Sequence, residues 1–259
     1  MYHDLMNLYG DWANVAALKR AFSERGHSVI VDKKSVGDDV DFCAYELVYI
    51  GSGTERSQRV CMNDLERYRD TLAGYIEDGM HVLATGNSHE LFGRTIKGAF
   101  GEPYEALGLL DFETVQENSR TVGDCVCKAS FLQEKLIGFI NRAGGRQEGD
   151  IERPFLLELG PGVNNKPMAE GIRYKNLLGT YMTGPILVRN PPLLRCIADM
   201  LTGDSASTEN VAPVETISTT PHSTLHTALL PSCDPFFLYQ DRAYRLALQE
   251  LSARIPRSS

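Results

Sequence analysis

The stretch HVLATGNSHELFG, residues 81–93, has the residue order of a catalytic turn. It begins as an apolar strand and ends as a helix start, where Ser88 and Glu90 could cap free backbone N–H groups. Many α/β enzymes hold a nucleophile at such a strand-to-helix turn, here called the elbow. The tip of the elbow carries Gly86 and Asn87, and neither side chain supplies a nucleophile.

Ser88 and His89 supply the residue types of a hydrolytic pair just beyond the tip. The sequence GNSHE departs from the G-x-S-x-G pattern, because Glu90 stands at the final glycine position. Successive residues of a helix point about 100° apart, so the His89 ring would not face the Ser88 hydroxyl. We therefore expect Ser88 to be a helix cap and not a nucleophile.

Metal and thiol chemistry have weaker candidates. His222 and His226 are four residues apart, a spacing that can place two ligands on one helical face. They lie among Ser, Thr and Pro without a third ligand nearby, so we expect a solvated loop, no metal and no cofactor. The six cysteines form no CxxC pair, and we expect reduced thiols that pack as small apolar side chains. Cys61, at a predicted helix start where the dipole could lower its pKa, is included in that expectation.

Composition limits the class of protein. A chain of 259 residues with 42% hydrophobic residues can bury one good core. A formal net charge of −8 argues against nucleic acid or an anionic membrane surface as the main partner. The longest apolar runs are interrupted by Gly, Pro or polar residues, so none is expected to span a bilayer. The acidic stretch MYHDLMNLYGD is unlike a signal peptide, and the composition predicts a cytoplasmic protein.

The elements that would hold the elbow alternate between helix and strand. In order, the sequence predicts a helix that ends at Gly26, a strand at 28–32, a strand at 47–51, a helix closed by Gly79 and a strand at 82–85. Such alternation predicts a parallel sheet with helices on both faces. The strands at 47–51 and 82–85 should be neighbours, which would place the turn Gly51-Ser52-Gly53 beside Gly86.

The pattern changes after about residue 110, where short strand-like runs are joined by Gly- and Asn-rich turns. These runs predict antiparallel additions to the sheet. NPPLLRCIADML predicts a helix with proline in its first turn. Residues 203–235, rich in Ser, Thr and Pro, are expected to form a partly flexible surface excursion, and 237–254 a closing helix. We predict a single domain over residues 1–259.

Several stretches together resemble the class I glutamine amidotransferases. They are YHDLMNLYGDWANVAALKRAFSERG, VYIGSGTERSQ, VLATGNSHELFG, SRTVGD, IGFINRAGGR and EGIRYKNLLGTYMTGPILVRNPPL. The resemblance is to the cobyric acid synthase-like branch, closest to GatD-type subunits of lipid II isoglutaminyl synthase. It covers nearly the whole chain except residues 203–235. It implies a flavodoxin-like α/β fold of three layers (αβα), in which a mostly parallel central sheet lies between two layers of helices.

The resemblance also implies where the catalytic residues would be. In the family the elbow reads like LAICGGYQLLG, and its cysteine attacks the carboxamide of glutamine. Counting back from Gly93, that cysteine position is Gly86 here. The family's GTYLHGP carries the histidine that activates the cysteine, and in GTYMTGP its position is Thr183. The reaction needs a thiolate and a base of near-neutral pKa. The resemblance thus implies an inactive glutaminase, in which Gly86 and Thr183 face each other.

Other parts of the family site are retained. Arg120, in SRTVGD, matches the arginine that holds the glutamine carboxylate, a task suited to a guanidinium fork. Gly51 and Gly53 match positions whose backbone N–H groups line the oxyanion site. Ser52 departs from the family's run of three glycines. Alternatively, Arg120 forms a surface ion pair, and the two glycines serve only a tight turn.

Two functional hypotheses follow from the resemblance. In the first, the chain is the amidotransferase-like subunit of a heterodimer with a Mur-ligase-like, ATP-dependent partner. That complex would amidate the D-glutamate of the peptidoglycan stem, with ammonia from solution. In the second, the chain is a stand-alone pseudoenzyme that binds glutamine or another small amino acid or carboxylate. A role as an amidotransferase-like protein of the cobalamin pathway is a third interpretation.

The start of the sequence differs from the family pattern. In the family a short apolar strand precedes the stretch that resembles YHDLMNLYGD, whereas here Met1 stands directly before Tyr2. Either the chain start has been trimmed or misplaced, or the sheet lacks its first strand. In the second case the apolar face beside that strand must be covered in another way.

Overall fold

The computed structural model describes residues 1–98, 102–161, 163, 168–203 and 237–256. Nearly all of the predicted excursion at 203–235, with His222, His226 and Cys233, lies outside these residues. The elements described are α1 (Trp12–Glu24), β1 (Leu47–Ile50), α2 (Glu55–Leu65), α3 (Arg69–Glu77), β2 (His81–Thr85), β3 (Thr95–Lys97), β4 (Tyr104–Glu105), β5 (Phe112–Ala129), β6 (Leu132–Gly149), β7 (Phe155–Leu159), β8 (Met168–Glu170), β9 (Ile172–Tyr174), β10 (Leu177–Thr180), β11 (Met182–Thr183), α4 (Ile186–Arg189), α5 (Pro191–Thr202) and α6 (Leu238–Ser252).

The central sheet has four strands in the order β1-β2-β10-β9. β1 and β10 run parallel to β2, and β9 is antiparallel to β10. The register aligns Ile50 with Ala84 and Thr85 with Thr180. The strands predicted at 47–51 and 82–85 are therefore neighbours, and their carboxyl ends meet at one edge of the sheet.

Helices cover both faces of this sheet. Successive side chains of a strand point to opposite faces, so Val82 and Ala84 belong to one core and Leu83 to another. The first core includes Leu65 and Leu72 from α2 and α3, and the second includes residues of α1, α4 and α5. Full burial of one such leucine stabilises the fold by roughly 1.5–3 kcal/mol. The three-layer α/β class is confirmed.

A second sheet of seven strands extends the molecule. Its main path is β11-β6-β5-β3-β4, with β7 paired to β5 and β8 to β7. Its pairings are antiparallel except that between β3 and β5. β5 and β6 are 18 residues each and form a long ribbon, with an irregularity between Glu117 and Arg120. The predicted antiparallel additions are thus confirmed.

The prediction of a strand at 28–32 is wrong. Within the described residues this segment pairs with no strand, and β1 forms the edge of the central sheet. A cavity of about 770 Å³ separates the two, lined by side chains that include Val29, Val31 and Tyr49. β-branched residues favour a strand only where a neighbouring backbone is available to pair with them. Here the segment faces the cavity, where no neighbouring backbone among the described residues pairs with it.

The helix predicted before Gly79 forms as two helices. A 3-10 turn, Glu66–Tyr68, separates α2 from α3. α2 begins directly after the turn at 51–53, where Thr54 caps it by accepting a hydrogen bond from the backbone N–H of Ser57 at 3.0 Å. Among the described helices, none has the length and apolar character needed to cross a bilayer.

Candidate functional site

The elbow is present in the structure. β2 ends at Thr85, Gly86 has a φ of +65°, and a 3-10 helix runs over Gly86–Phe92. A positive φ favours glycine, because it brings a Cβ atom too close to the backbone. The chain therefore retains the sharp strand-to-helix turn that holds a nucleophile in other enzymes, with no side chain at position 86.

The turn at 51–53 lies directly against this tip, as predicted. A Cβ atom placed on Gly86 would lie 2.3 Å from the Cβ of Ser52 and 3.1 Å from its Cα. The backbone N–H of Gly53 donates to Oδ1 of Asn87 at 3.0 Å. An oxyanion would have to displace the Asn87 side chain in order to bond to this N–H group.

Gly51 and Gly53 are both required by packing. A Cβ on Gly51 would lie 2.2 Å from the carbonyl oxygen of Met6, and a Cβ on Gly53 would lie 2.4 Å from the Sδ of the same methionine. The N-terminal loop thus packs onto the turn so closely that neither position accepts a side chain. This geometry favours the tight-turn interpretation of these two glycines. Their oxyanion role remains a prediction.

A buried carboxylate, Asp11, organises the hydroxyl groups around the elbow. It accepts hydrogen bonds from Ser52 Oγ at 2.6 Å and from Thr85 Oγ1 at 3.0 Å. The hydroxyl of Tyr49 lies 3.4 Å from it, and burial, followed by the charge of Asp11, raises the pKa of this phenol. Our sequence interpretation missed Asp11. Its place within the quoted stretch YHDLMNLYGD was the only available signal.

Ser88 is neither a nucleophile nor a helix cap. It lies inside the 3-10 helix that begins at Gly86, and it is fully buried. Its hydroxyl is 2.9 Å from the carbonyl oxygens of both Ile50 and Thr85. The predicted cap is wrong because the helix starts three residues earlier than expected, with Thr85 at the N-cap position. Ser88 instead joins the carboxyl ends of β1 and β2.

His89 does not form a pair with Ser88. Its Nδ1 lies 2.7 Å from the carbonyl oxygen of Gly86, and its Nε2 lies 3.1 Å from Nε2 of Gln147. A neutral ring that donates from Nδ1 and accepts at Nε2 satisfies both contacts. Burial lowers the pKa of His89 to about 3, so the ring stays neutral and is not available as a general base near pH 7.

Glu90, the other expected cap, is also buried and forms a different contact set. Its carboxylate accepts hydrogen bonds from Gln58 and Gln116 at 2.8 Å each and from the hydroxyl of Tyr181 at 2.7 Å. Burial raises its pKa, which those three donors partly oppose. The prediction that Glu90 caps the helix is wrong. The residue joins α2, β5 and the segment after β10.

Thr183, at the position that the resemblance assigns to the family's histidine, lies on β11 and is buried. Its hydroxyl donates to the carbonyl oxygen of Phe139 at 3.0 Å, across the pairing of β11 with β6. The register of Thr85 with Thr180 brings this segment towards the elbow, and the rings of His89 and Tyr181 are 4.2 Å apart. That Gly86 and Thr183 face each other remains a prediction.

Residues 1–191 match the CobB/CobQ-like glutamine amidotransferase domain, which is more than half of the chain. The chain belongs to this family. It is 34% identical over 195 residues to the lipid II isoglutaminyl synthase (glutamine-hydrolyzing) subunit GatD of Streptococcus pneumoniae, over 74% of this chain and 75% of that protein. It is also 34% identical to the GatD subunit of Staphylococcus aureus, over 73% of this chain and 79% of that protein.

More distant relatives of this amidotransferase-family chain give less information. A cobyric acid synthase of Brucella canis is 28% identical over 118 residues, which is 44% of this chain and 23% of that protein. A crystal structure of a glutamine amidotransferase superimposes with a TM-score of 0.50 and 18% identity, over 77% of this chain and 97% of that one. The structural match supports the fold alone.

Arg120, on the β5–β6 ribbon of this amidotransferase-family chain, is already paired. One guanidinium N–H donates to Oε1 of Glu55 at 3.0 Å, and Nε donates to Oδ1 of Asn141 at 2.9 Å. Glu55 is the first residue of α2, so Arg120 lies close to the turn at 51–53. A ligand carboxylate would have to replace Glu55 on the guanidinium fork. The ligand role of Arg120 remains a prediction.

Cys61 and the possible metal ligands were also candidates in the sequence of this amidotransferase-family chain. Cys61 is buried, and burial raises its pKa to about 12, so it packs as an apolar residue, as predicted. Among the described residues, no group of three His, Cys, Asp or Glu side chains is placed to hold a metal ion.

Proposed function

We propose that this chain is the amidotransferase-like subunit of a complex of the lipid II isoglutaminyl synthase type, and that it does not itself hydrolyse glutamine. Two relatives named as GatD subunits of that synthase match about three quarters of this chain and of their own lengths. The partner would be a Mur-ligase-like subunit that uses ATP to activate the D-glutamate carboxylate of the peptidoglycan stem. Ammonia would come from solution. The complex would act in the cytoplasm.

The observation that carries the second half of the proposal is the elbow. A glutamyl thioester requires a thiolate at its tip, and Gly86 has no side chain. The base position is Thr183, whose hydroxyl cannot accept a proton near neutral pH. The nearby ring of His89 is buried and stays neutral with a pKa of about 3.

The stand-alone pseudoenzyme is the alternative. Its support is Arg120, which lies near the turn at 51–53 and carries a guanidinium fork suited to a carboxylate. Against it, the N–H groups of that fork already bond to Glu55 and Asn141. A cobalamin-pathway role has weaker support, because the cobyric acid synthase match covers less than half of this chain.

Reconstitution tests the proposal. The chain is co-expressed with the Mur-ligase-like protein of the same organism, and the pair is purified through a tag on one partner. We expect a stable complex that amidates lipid II with ATP and ammonium chloride but not with glutamine. An S. pneumoniae GatD complex serves as the glutamine-using control.

Two results would contradict the proposal. Absence of any complex would contradict the subunit role. Amidation driven by glutamine, at a rate above that from contaminating ammonia, would contradict the claim that the elbow is inactive.

A further inference from the structure

The side chain of Ser52 occupies the space in which a side chain at the elbow tip would lie. A Cβ on Gly86 would approach the Cβ of Ser52 to 2.3 Å and its Oγ to 3.3 Å. Carbon atoms in ordinary contact are about 3.5–4.0 Å apart. A residue other than glycine at position 86 therefore requires either Ser52 or the whole turn at 51–53 to move.

Ser52 is held in this place by buried hydrogen bonding. Its hydroxyl donates to Oδ2 of Asp11 at 2.6 Å, and both residues are almost completely buried. The Cβ of Ser52 can move only together with the backbone of the turn, and that movement would draw the hydroxyl away from the Asp11 carboxylate, which would then lack one of its donors inside the protein. Leaving a buried charged acceptor unsatisfied is more costly than losing an exposed hydrogen bond.

The backbone of the turn is also held against the elbow. Gly53 N–H donates to Oδ1 of Asn87 at 3.0 Å, and Nε2 of Gln58 donates to the backbone carbonyl of Asn87 at 2.6 Å. Position 87 therefore bonds to the turn at 51–53 and to α2 through different atoms. Neither side of the contact can shift without breaking these bonds.

We propose that Ser52 is the positioning residue that decides whether this elbow can carry a nucleophile, so that only one of positions 52 and 86 can hold a side chain. This inference concerns the same site as the proposed function and rests on that proposal. The elbow is filled from the neighbouring turn, and a thiol at position 86 alone has no room. Replacement of Ser52 by glycine opens the space for it.

A double-mutant cycle tests this coupling with Gly86→Cys, Ser52→Gly and the combination of the two. Gly86→Cys alone should lower the melting temperature by at least about 5 °C, because it adds both backbone strain and a clash. In the Ser52→Gly background the same change should lower it less, since the 2.3 Å contact with the Ser52 Cβ is removed and only the strain and the 3.1 Å approach to the Cα of residue 52 remain. The coupling between the two positions is the measured quantity.

Thiol reactivity supplies a readout that stability alone would not move. The variants are treated with iodoacetamide in their native state, and labelled peptides are identified by mass spectrometry, which separates the new thiol from Cys43 and the other native cysteines. The thiol introduced by Gly86→Cys should react at least about tenfold faster in the Ser52→Gly background, because it is no longer forced against the turn.

Gly26→Cys is the matched control for backbone strain. Gly26 has a φ of +81°, and no atom lies within 4 Å of the place that a Cβ atom would take there, so its substitution adds strain without a clash. Its effect should be the same with Ser52 or glycine at position 52. If Gly86→Cys does not fold, Gly86→Ala replaces it in both backgrounds.

Equal effects of the position-86 change in both backgrounds would overturn the inference, and so would failure of the combined variant to fold. Neither result bears on the proposed function, because the amidation assay of the unaltered chain decides that question separately.

Discussion

Gly86 and Ser52 show how two single residues define the state of this site. The positive φ at Gly86 would strain any residue with a Cβ there by roughly 1–2 kcal/mol. In this chain the strain is absent, and Ser52 fills the space. We therefore expect glutamine hydrolysis to require changes at more positions than 86 and 183.

A direct prediction concerns the variant with both Gly86→Cys and Thr183→His. We expect no glutamine hydrolysis above background, because Ser52 leaves no room for the thiol and Asn87 occupies the N–H group of Gly53. Ammonia release is measured with a coupled glutamate dehydrogenase assay, with the unaltered chain as the control. Turnover by this double variant, with Ser52 in place, would show that the elbow has room after all.

Glu170 provides a prediction about pH. It accepts hydrogen bonds from Thr180 Oγ1 and the backbone N–H of Tyr181, and burial raises its pKa to about 7. The folded state therefore binds a proton more tightly than the unfolded state, so the stabilising contribution is complete below pH 4.5. It is lost as the pH rises through about 7.

Glu170→Gln should remove this dependence. The unfolding free energy of the wild type relative to the variant should fall between pH 5 and 8, by roughly 1.4 kcal/mol for each unit of pKa shift. Denaturant unfolding at several pH values measures it, with the exposed Glu250→Gln as control.

His89 acts in the opposite direction, because its lowered pKa favours the folded state above pH 6.5. Comparison with the variant cancels that contribution. An unchanged difference across the range would contradict the assignment to Glu170.

At the scale of elements, the site is an assembly of strand ends and one ribbon. β1 and β2 contribute the turn at 51–53 and the elbow, α2 begins immediately beside them, and the β5–β6 ribbon brings Arg120 onto the first residue of α2. The ion pair of Arg120 with Glu55 therefore connects two elements that are distant in the sequence. It lies in an exposed position, with nearly half of the arginine side chain accessible.

We expect Arg120→Ala to change the unfolding free energy by less than about 1 kcal/mol, because exposed ion pairs contribute little. We also expect no binding of glutamine, glutamate or isoglutamine to the unaltered chain, since Glu55 occupies the guanidinium fork. Denaturant unfolding and isothermal calorimetry measure the two quantities, with Lys97→Ala, which removes the exposed pair with Glu113, as the matched control. Binding that Arg120→Ala weakens tenfold or more would instead assign a ligand site there.

At the scale of the whole molecule, the parallel core and the antiparallel sheet have separate roles. The central sheet, covered by helices on both faces, fixes the elbow, and the larger sheet carries Thr183 and Arg120. The cavity between β1 and residues 28–32 lies beside this framework. The molecule has thus kept the scaffold of a family of enzymes while the centre of the site is filled by its own side chains.

Local sequence patterns predict the class of fold and most of the elements, and the residues at positions 86 and 183 predict the loss of both catalytic groups. Periodicity and turn residues are local properties, and folding cannot supply a thiol to Gly86 or an imidazole to Thr183. Only the tertiary structure decided that Ser52 fills the elbow, that Asp11 holds Ser52, and that Glu55 holds Arg120. The residues that make these contacts are separated by 34, 41 and 65 positions in the sequence. Local sequence patterns cannot encode contacts over such separations. The same reason explains the segment at 28–32, whose strand-forming residues lack a neighbour with which to pair.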